Sequence, residues 1–287
     1  MNRLLLLWLL LFTGVGWAAP QGNTLSLALS AVFPGEQQGM VVRWQKYLEA
    51  RLQRPVQFVQ RRTYLELVEM FKQDTLDGGW VCSAPFLRYK SAQRLLAMPV
   101  WQGEPLYQSY LIVPREDTST RSMADLRGKI FAYSDSESNS GYFVPQDDIL
   151  KLKSDPKTFF RKTMFTYSHR KSVEAVAAGL VDGARVDGYI YDELKKAFPQ
   201  LIAQTRLVEK SESYAFPPIV TRANFPEDDF LKLRDVLLNM HEDTEGRMLL
   251  EAMGLDKFIA GDESLFDGVA ALLKRVENLE GNRAKQF

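Results

Sequence analysis

Short apolar runs alternating with stretches of helical periodicity constrain this chain more than any other feature. Leu25 to Ala31 alternates as a strand does. Val41, Trp44, Leu48 and Leu52 then recur at helical spacing until Pro55, which lacks the amide hydrogen a helix needs to continue. Val56-Gln57-Phe58-Val59 reads as the next strand. Thr63-Tyr64-Leu65-Glu66 is a capping box, its hydroxyl and carboxylate satisfying each other's backbone amides, and Leu65, Val68 and Phe71 continue that helix on one face. Trp80-Val81-Cys82 and Gln108 to Val113 are further strands.

The pattern then repeats. Ile130 to Tyr133 is a strand, followed by a Ser-rich loop and a helix from about Gly141. Met164 to Tyr167 and Arg185 to Ile190 are strands around a helix carrying Val173, Val176, Ala177 and Leu180. Tyr214 to Thr221 extends again through Pro217-Pro218, and helices follow around 230–240, 245–253 and 265–276, with a frayed tail after Leu279. Such alternation predicts an α/β chain with mostly parallel sheets. Two βα blocks joined near Val113-Pro114 and near Ser213 to Pro218 predict two lobes: residues 19–113 plus 214–287, and residues 114–213. Ligands of open α/β sheets bind beyond the carboxyl ends of the strands, so the cleft between lobes is the expected site.

The N-terminus reads as an export signal: Arg3, the apolar run Leu4 to Phe12, then small residues ending at Ala18, where cleavage is expected. The run is shorter than the roughly 20 residues a membrane span needs. No cysteine stands at the cleavage point, which excludes a lipid anchor there; Cys82, the one cysteine, is expected in the core. Acidic and basic residues number 36 each, so the chain lacks the basic excess of a nucleic-acid binder. Its 46% hydrophobic content is enough for a folded core.

Ser134 to Tyr142 (Ser-Asp-Ser-Glu-Ser-Asn-Ser-Gly-Tyr) lies between a strand and a helix, where hydroxyls, free amides and the helix dipole suit a phosphate-like anion. Ser138 or Ser140 serving as an ordinary N-cap explains the same residues. An anion there requires Asp135 and Glu137 to turn outward. His169-Arg170-Lys171 precedes another helix, where cations oppose the dipole and a bound anion would offset them; extension into solvent is the alternative, and for His169 both readings stand. Tyr64 in the first turn of its helix, Tyr107 before its strand, and Ser83 opening Ser83-Ala84-Pro85-Phe86 complete the candidates from the residues themselves. There is no Gly-rich phosphate loop, His-Glu-x-x-His or Gly-x-Ser-x-Gly, and two histidines with one cysteine leave little for metal binding or nucleophilic catalysis. Neither an enzyme nor a cofactor is expected.

Asp77-Gly78-Gly79-Trp80-Val81-Cys82 with Pro85-Phe86, Asp125-Leu126-Arg127-Gly128-Lys129, Ser138 to Tyr142, Ser168-His169, Ala178 to Ala184, Pro217-Pro218-Ile219-Val220 and Glu245-Gly246-Arg247 occur in an order that resembles the phosphate/phosphite/phosphonate-binding family of ABC-transporter substrate-binding proteins. The resemblance covers nearly the whole mature chain and implies the two-lobed type 2 periplasmic-binding fold. It implies an anion held on serine hydroxyls and backbone amides at Ser138, Asn139, Ser140 and Gly141, with His169, Tyr64 and Tyr107 lining the cleft. It also implies that Asp187 meets a cationic group such as a ligand amine. The family usually carries Thr where Asn139 stands and Tyr where Phe86 stands, which bears on the ligand's identity. The expected partner is an ABC permease, or alternatively the periplasmic domain of a sensor kinase or cyclase.

Overall fold

The computed structural model describes residues 24–30 and 38–284. The leader and its cleavage point at Ala18 lie outside the described residues. The chain begins β1 (Leu25–Leu29), α1 (Gln38–Leu52), β2 (Val56–Val59), α2 (Tyr64–Lys72), β3 (Gly78–Trp80), α3 (Ser83–Arg88) and β4 (Gln93–Val100). A second series follows: β5 (Leu106–Pro114), β6 (Ile130–Tyr133), α4 (Val144–Lys151), α5 (Pro156–Phe159), β7 (Lys162–Phe165), α6 (His169–Ala177), β8 (Gly183–Asp187), α7 (Gly188–Ala197), α8 (Pro199–Ile202) and β9 (Thr205–Ala215). The chain then returns through β10 (Ile219–Arg222), α9 (Glu227–Leu238), α10 (Thr244–Met253), β11 (Lys257–Ile259) and α11 (Asp267–Ala284). The helix reaches Ala284, past the point where the tail was expected to fray. No helix among the described residues is long and apolar enough to cross a membrane.

Two sheets result, ordered β11-β4-β10-β3-β1-β2 and β7-β6-β8-β5-β9. Parallel pairing is confined to β2-β1-β3 and β7-β6-β8; β4, β10 and β11, like β5 and β9, pair antiparallel. The sheets are therefore mixed rather than mostly parallel. The expected boundaries also move, because β5 belongs wholly to the second sheet. The chain crosses between sheets at residues 101–105 and 216–218, not at Val113 and Ser213.

The capping box forms as its residues dictate: the Glu66 amide donates to the Thr63 hydroxyl at 3.2 Å and the Thr63 amide to Glu66 Oε2 at 2.8 Å. The buried face of α2 is Tyr64, Leu67, Val68 and Phe71, whereas Leu65 is exposed, so the face turns one position from the expected one. Leu180, expected on the buried face of α6, lies beyond its end and is exposed. Trp80 is the centre of the larger core, in ring contact with Trp44, Tyr189, Phe216 and Phe258. Tyr189 comes from the second series of elements, so this cluster ties the two lobes together.

One part of the first lobe is poorly satisfied. Gln93, at the start of β4, is buried with no partner for either amide atom among the described residues, and the Ser30 hydroxyl is likewise unpartnered among them. Both line a cavity of about 10 Å³ with Leu67, Val68, Phe71 and Val81. A buried amide without partners costs about 1–3 kcal/mol. Gln93→Met, of similar length, is expected to raise the thermal midpoint in calorimetry. A lowered midpoint would mean that a buried water satisfies the amide.

Candidate functional site

The Ser-rich loop leaves β6 at Ser134 and turns through Asn139–Phe143 as a wide π-type turn before α4 begins at Val144. Such turns carry an extra residue per turn and concentrate at functional sites. Ser138 caps the turn, its hydroxyl accepting the Gly141 amide at 3.0 Å. The capping explanation therefore holds for Ser138, and it coexists with a different role for its neighbours.

Six side-chain atoms in this region are buried and have no partner among the described residues: Tyr64 Oη, Ser134 Oγ, Asn139 Oδ1, Ser140 Oγ, His169 Nε2 and Asp187 Oδ2. A buried polar atom without a partner is rare in folded proteins, so a cluster of them marks this region as the candidate site. Their placement follows from the topology. Ser134 directly follows β6, Asp187 ends β8, and these strands are parallel neighbours, so both residues stand at carboxyl ends on one rim. Asn139 and Ser140 come from the loop after β6, His169 opens α6 after β7, and Tyr64 opens α2 across the cleft.

His169 is 1% exposed and its Nδ1 accepts the Asp187 backbone amide at 3.1 Å. In the neutral ring the proton then sits on Nε2, which becomes a donor. Burial holds the imidazole neutral by lowering its pKa to about 3. Asn139 is fixed by two bonds: its backbone amide donates to Cys82 Sγ at 3.4 Å and its Nδ2 to the Tyr107 hydroxyl at 3.0 Å, leaving Oδ1 without a partner among the described residues. Asp187 caps α7, with Oδ1 accepting the Ile190 amide at 3.2 Å, and burial raises its carboxyl to about 7. The Tyr64 and Tyr107 hydroxyls stay protonated, their pKa values pushed well up by burial. Tyr64, Ser134, Ser140 and His169 thus offer donors, and Asn139 and Asp187 offer acceptors.

Several contacts hold the lobes together over this cluster. The Tyr64 amide donates to Asp135 Oδ2 at 3.1 Å, and Arg88 Nη1 reaches both Glu137 oxygens at 2.6 Å. The Arg62 guanidinium lies 4.4 Å from the Tyr167 ring centroid. The outward turn of Asp135 and Glu137 that an anion in this loop requires does not occur; both are buried, and the opposite lobe pairs them with the Tyr64 amide and the Arg88 guanidinium, which takes up their acceptors there. Arg170 pairs with Glu174 and lies over Phe198, so it is engaged away from the ligand cluster.

The sequence expectations separate here. Tyr64, Asn139, Ser140, His169 and Asp187 each turn an unpartnered atom to the cluster, and Tyr107 supports Asn139. Ser83 does not join them: its hydroxyl donates to the Ala215 carbonyl at 3.0 Å, tying α3 to the second crossing. The amides of Ser138, Asn139 and Gly141 are already engaged, so side chains rather than these backbone groups carry the unpartnered atoms. Gly141 contributes by having no side chain, since a Cβ there would lie 1.9 Å from Ser134 Oγ. Ser134 was missed as a candidate. Its signal was present, as a serine at the carboxyl end of a strand one residue before the acidic pair.

Known proteins resemble this chain in sequence and in fold. A family model described as "ABC transporter, phosphonate, periplasmic substrate-binding protein" matches residues 31–266. The phosphonates-binding periplasmic protein of Escherichia coli is 28% identical over 187 residues, which is 63% of this chain and 55% of the relative, so the match spans little more than half of that protein. A binding-protein component of an ABC phosphonate transporter from Pseudomonas aeruginosa superposes with a TM-score of 0.81 at 22% identity, covering 88% of this chain and 86% of the other. PhnD1 from Prochlorococcus marinus, solved with methylphosphonate, gives 0.78 at 17% identity, covering 88% and 98%. The chain, with its two mixed sheets, belongs to the family of phosphonate ABC-transporter periplasmic substrate-binding proteins and has their two-lobed type 2 fold.

Proposed function

We infer that this protein captures a small phosphonate- or phosphate-like oxyanion in the cleft and delivers it to the permease of an ABC importer. The cluster of buried, unpartnered polar atoms at Tyr64, Ser134, Ser140 and His169 carries the reading. Four donors without partners among the described residues fit the oxygens of a tetrahedral anion, and donors to a charged acceptor are worth about 1.5–3 kcal/mol each. Closure of the lobes on the ligand, with pivots at the two crossings, would remove it from water and strengthen those bonds.

The chemistry of the cleft favours binding over catalysis. His169 has no free basic nitrogen, since Nδ1 already accepts an amide. Burial pushes the Cys82 thiol up to about 12, leaving it unreactive at neutral pH. The family description and the relative's name support a periplasmic location and an importer as partner. Nothing favours the sensor kinase or cyclase. Export through the leader, with cleavage near Ala18, belongs to the same reading, and N-terminal sequencing of the periplasmic form tests it.

Isothermal titration with methylphosphonate, phosphite, phosphate and sulfate tests the ligand class. At least one of the three phosphorus oxyanions is expected to bind, and Ser140→Ala to weaken it by about tenfold to a hundredfold. Absence of binding by all three would overturn the reading.

A further inference from the structure

Asp187 is the member of the cluster that an anion does not ordinarily tolerate. Its side chain is fully buried, Oδ1 is committed to the Ile190 amide, and Oδ2 has no partner. The titratable groups around it come from every packed element: Tyr64 on α2, Cys82 before α3, Tyr107 and Tyr110 on β5, His169 on α6, and Tyr189 and Asp192 on α7. None of these is a cation at neutral pH, His169 being neutral and Asp192 adding negative potential. No Lys or Arg among the described residues acts on the carboxyl. Asn139 Oδ1, the second unpartnered acceptor, adds a dipole of the same sense.

Two negative groups facing each other in a water-excluded site do not both stay charged; paired carboxyls hold one proton between them for this reason. Resting on the oxyanion reading above, we propose that the ligand is bound together with one proton, held between Asp187 Oδ2 and a ligand oxygen. Asp187 thereby selects anions whose oxygens hold a proton well, phosphonates and phosphate, over sulfonates, whose oxygens hold it poorly. The proton arrives either on the ligand's own P–OH or from solvent, and no bond to phosphorus changes. The raised proton affinity that burial gives the carboxyl works in the same direction.

Titration calorimetry with methylphosphonate, run in pairs of buffers with different ionisation heats across a pH series, tests this. Well above neutral pH, where methylphosphonate is a dianion, the wild type is expected to take up about one proton per ligand bound, with affinity falling about tenfold per pH unit. Asp187→Asn keeps the cap on α7 and turns an amide donor toward the ligand without needing a proton. Its binding is expected to show no proton uptake in that range and to lose the pH dependence. Its preference for methylphosphonate over methanesulfonate is expected to fall by about tenfold or more. Asp187→Ser, which also caps, serves if the asparagine variant fails to fold, with the same loss of proton uptake expected. Methylphosphonate binding to the wild type without proton uptake, or uptake unchanged in both variants, overturns the proposal. A variant that loses affinity only for aminoalkylphosphonates while retaining the uptake shows that Asp187 meets a ligand amine instead. If methylphosphonate, phosphite and phosphate all fail to bind the wild type, the oxyanion reading itself falls, and the proton with it.

Discussion

Replacing Gly141 with alanine is expected to abolish anion capture while leaving the protein folded. The reason is space, since the Gly141 backbone is not in the left-handed region. An added Cβ would stand 1.9 Å from Ser134 Oγ, 2.8 Å from Ser134 Cβ and 3.2 Å from Ser138 Oγ. Neither the serine at the end of β6 nor the turn that Ser138 caps has room to yield independently, because the Ser134 amide donates to the Gly141 carbonyl at 3.4 Å. The alanine therefore drives the Ser134 hydroxyl out of the cluster or lifts the turn bearing Ser140. Losing two charge-assisted hydrogen bonds weakens binding by about 10²- to 10⁴-fold. Overpacking of one methyl costs about 1–3 kcal/mol of stability, which a two-lobed protein of this size survives. Titration with methylphosphonate, alongside circular dichroism and a thermal midpoint, separates the two effects. Ser134→Ala is expected to fall between wild type and Gly141→Ala. A change of less than about tenfold in Gly141→Ala would place the anion away from the Ser134–Gly141 contact.

Much of this arrangement was legible in the residues, and the failures have physical causes. The capping box at Thr63, the helix ended by Pro55 and the Ser-rich turn after Ile130–Tyr133 are local features, and they form as their residues require. The strand Gln93–Val100 was invisible because it is buried on both faces toward its end and contains Pro99, which a ladder strand seldom carries. Thr205–Ala215 was missed for the opposite reason: its middle is polar and half-exposed, so no alternation marks it. Missing these two antiparallel strands is what shifted the lobe boundaries and made the sheets look mostly parallel. Asp187 was read inside a strand running to Ile190, whereas it ends the strand and caps the following helix, and that placement aims its free oxygen at the cluster. The inward turn of Asp135 and Glu137 was not readable at all, because their partners, Tyr64 and Arg88, lie in the other lobe and far away in sequence.

Arg185→Met is expected to cost more stability than any surface change, about 3–5 kcal/mol, because it breaks a buried charge cluster on one side only. Arg185 is 1% exposed; its Nε reaches Asp148 Oδ2 at 2.5 Å, its Nη2 pairs with Glu209, and its Nη1 donates to the Ser109 carbonyl at 3.0 Å. Removing the guanidinium leaves the partly buried Asp148 carboxylate, the more exposed Glu209 carboxylate and the Ser109 carbonyl without the cation that joins them. Burial already raises the Asp148 carboxyl even with the arginine present, and removing the cation that opposes this shift raises it further. The sign follows: a raised folded-state pKa gives stability at low pH that is lost as pH rises, so the deficit of Arg185→Met should be larger at neutral pH and shrink on acidification. Adding Asp148→Asn and Glu209→Gln to Arg185→Met removes the orphaned charges and is expected to recover most of the loss. The consequence reaches the ligand through one residue. The Ser109 hydroxyl donates to the Ser140 carbonyl at 2.8 Å, so a β5 strand released from Arg185 loosens the turn that presents Ser140. Urea denaturation at two pH values and titration with methylphosphonate check both halves. A deficit below about 1 kcal/mol would show that water reaches the cluster and that an exposed pair, not a buried one, sits beneath the site.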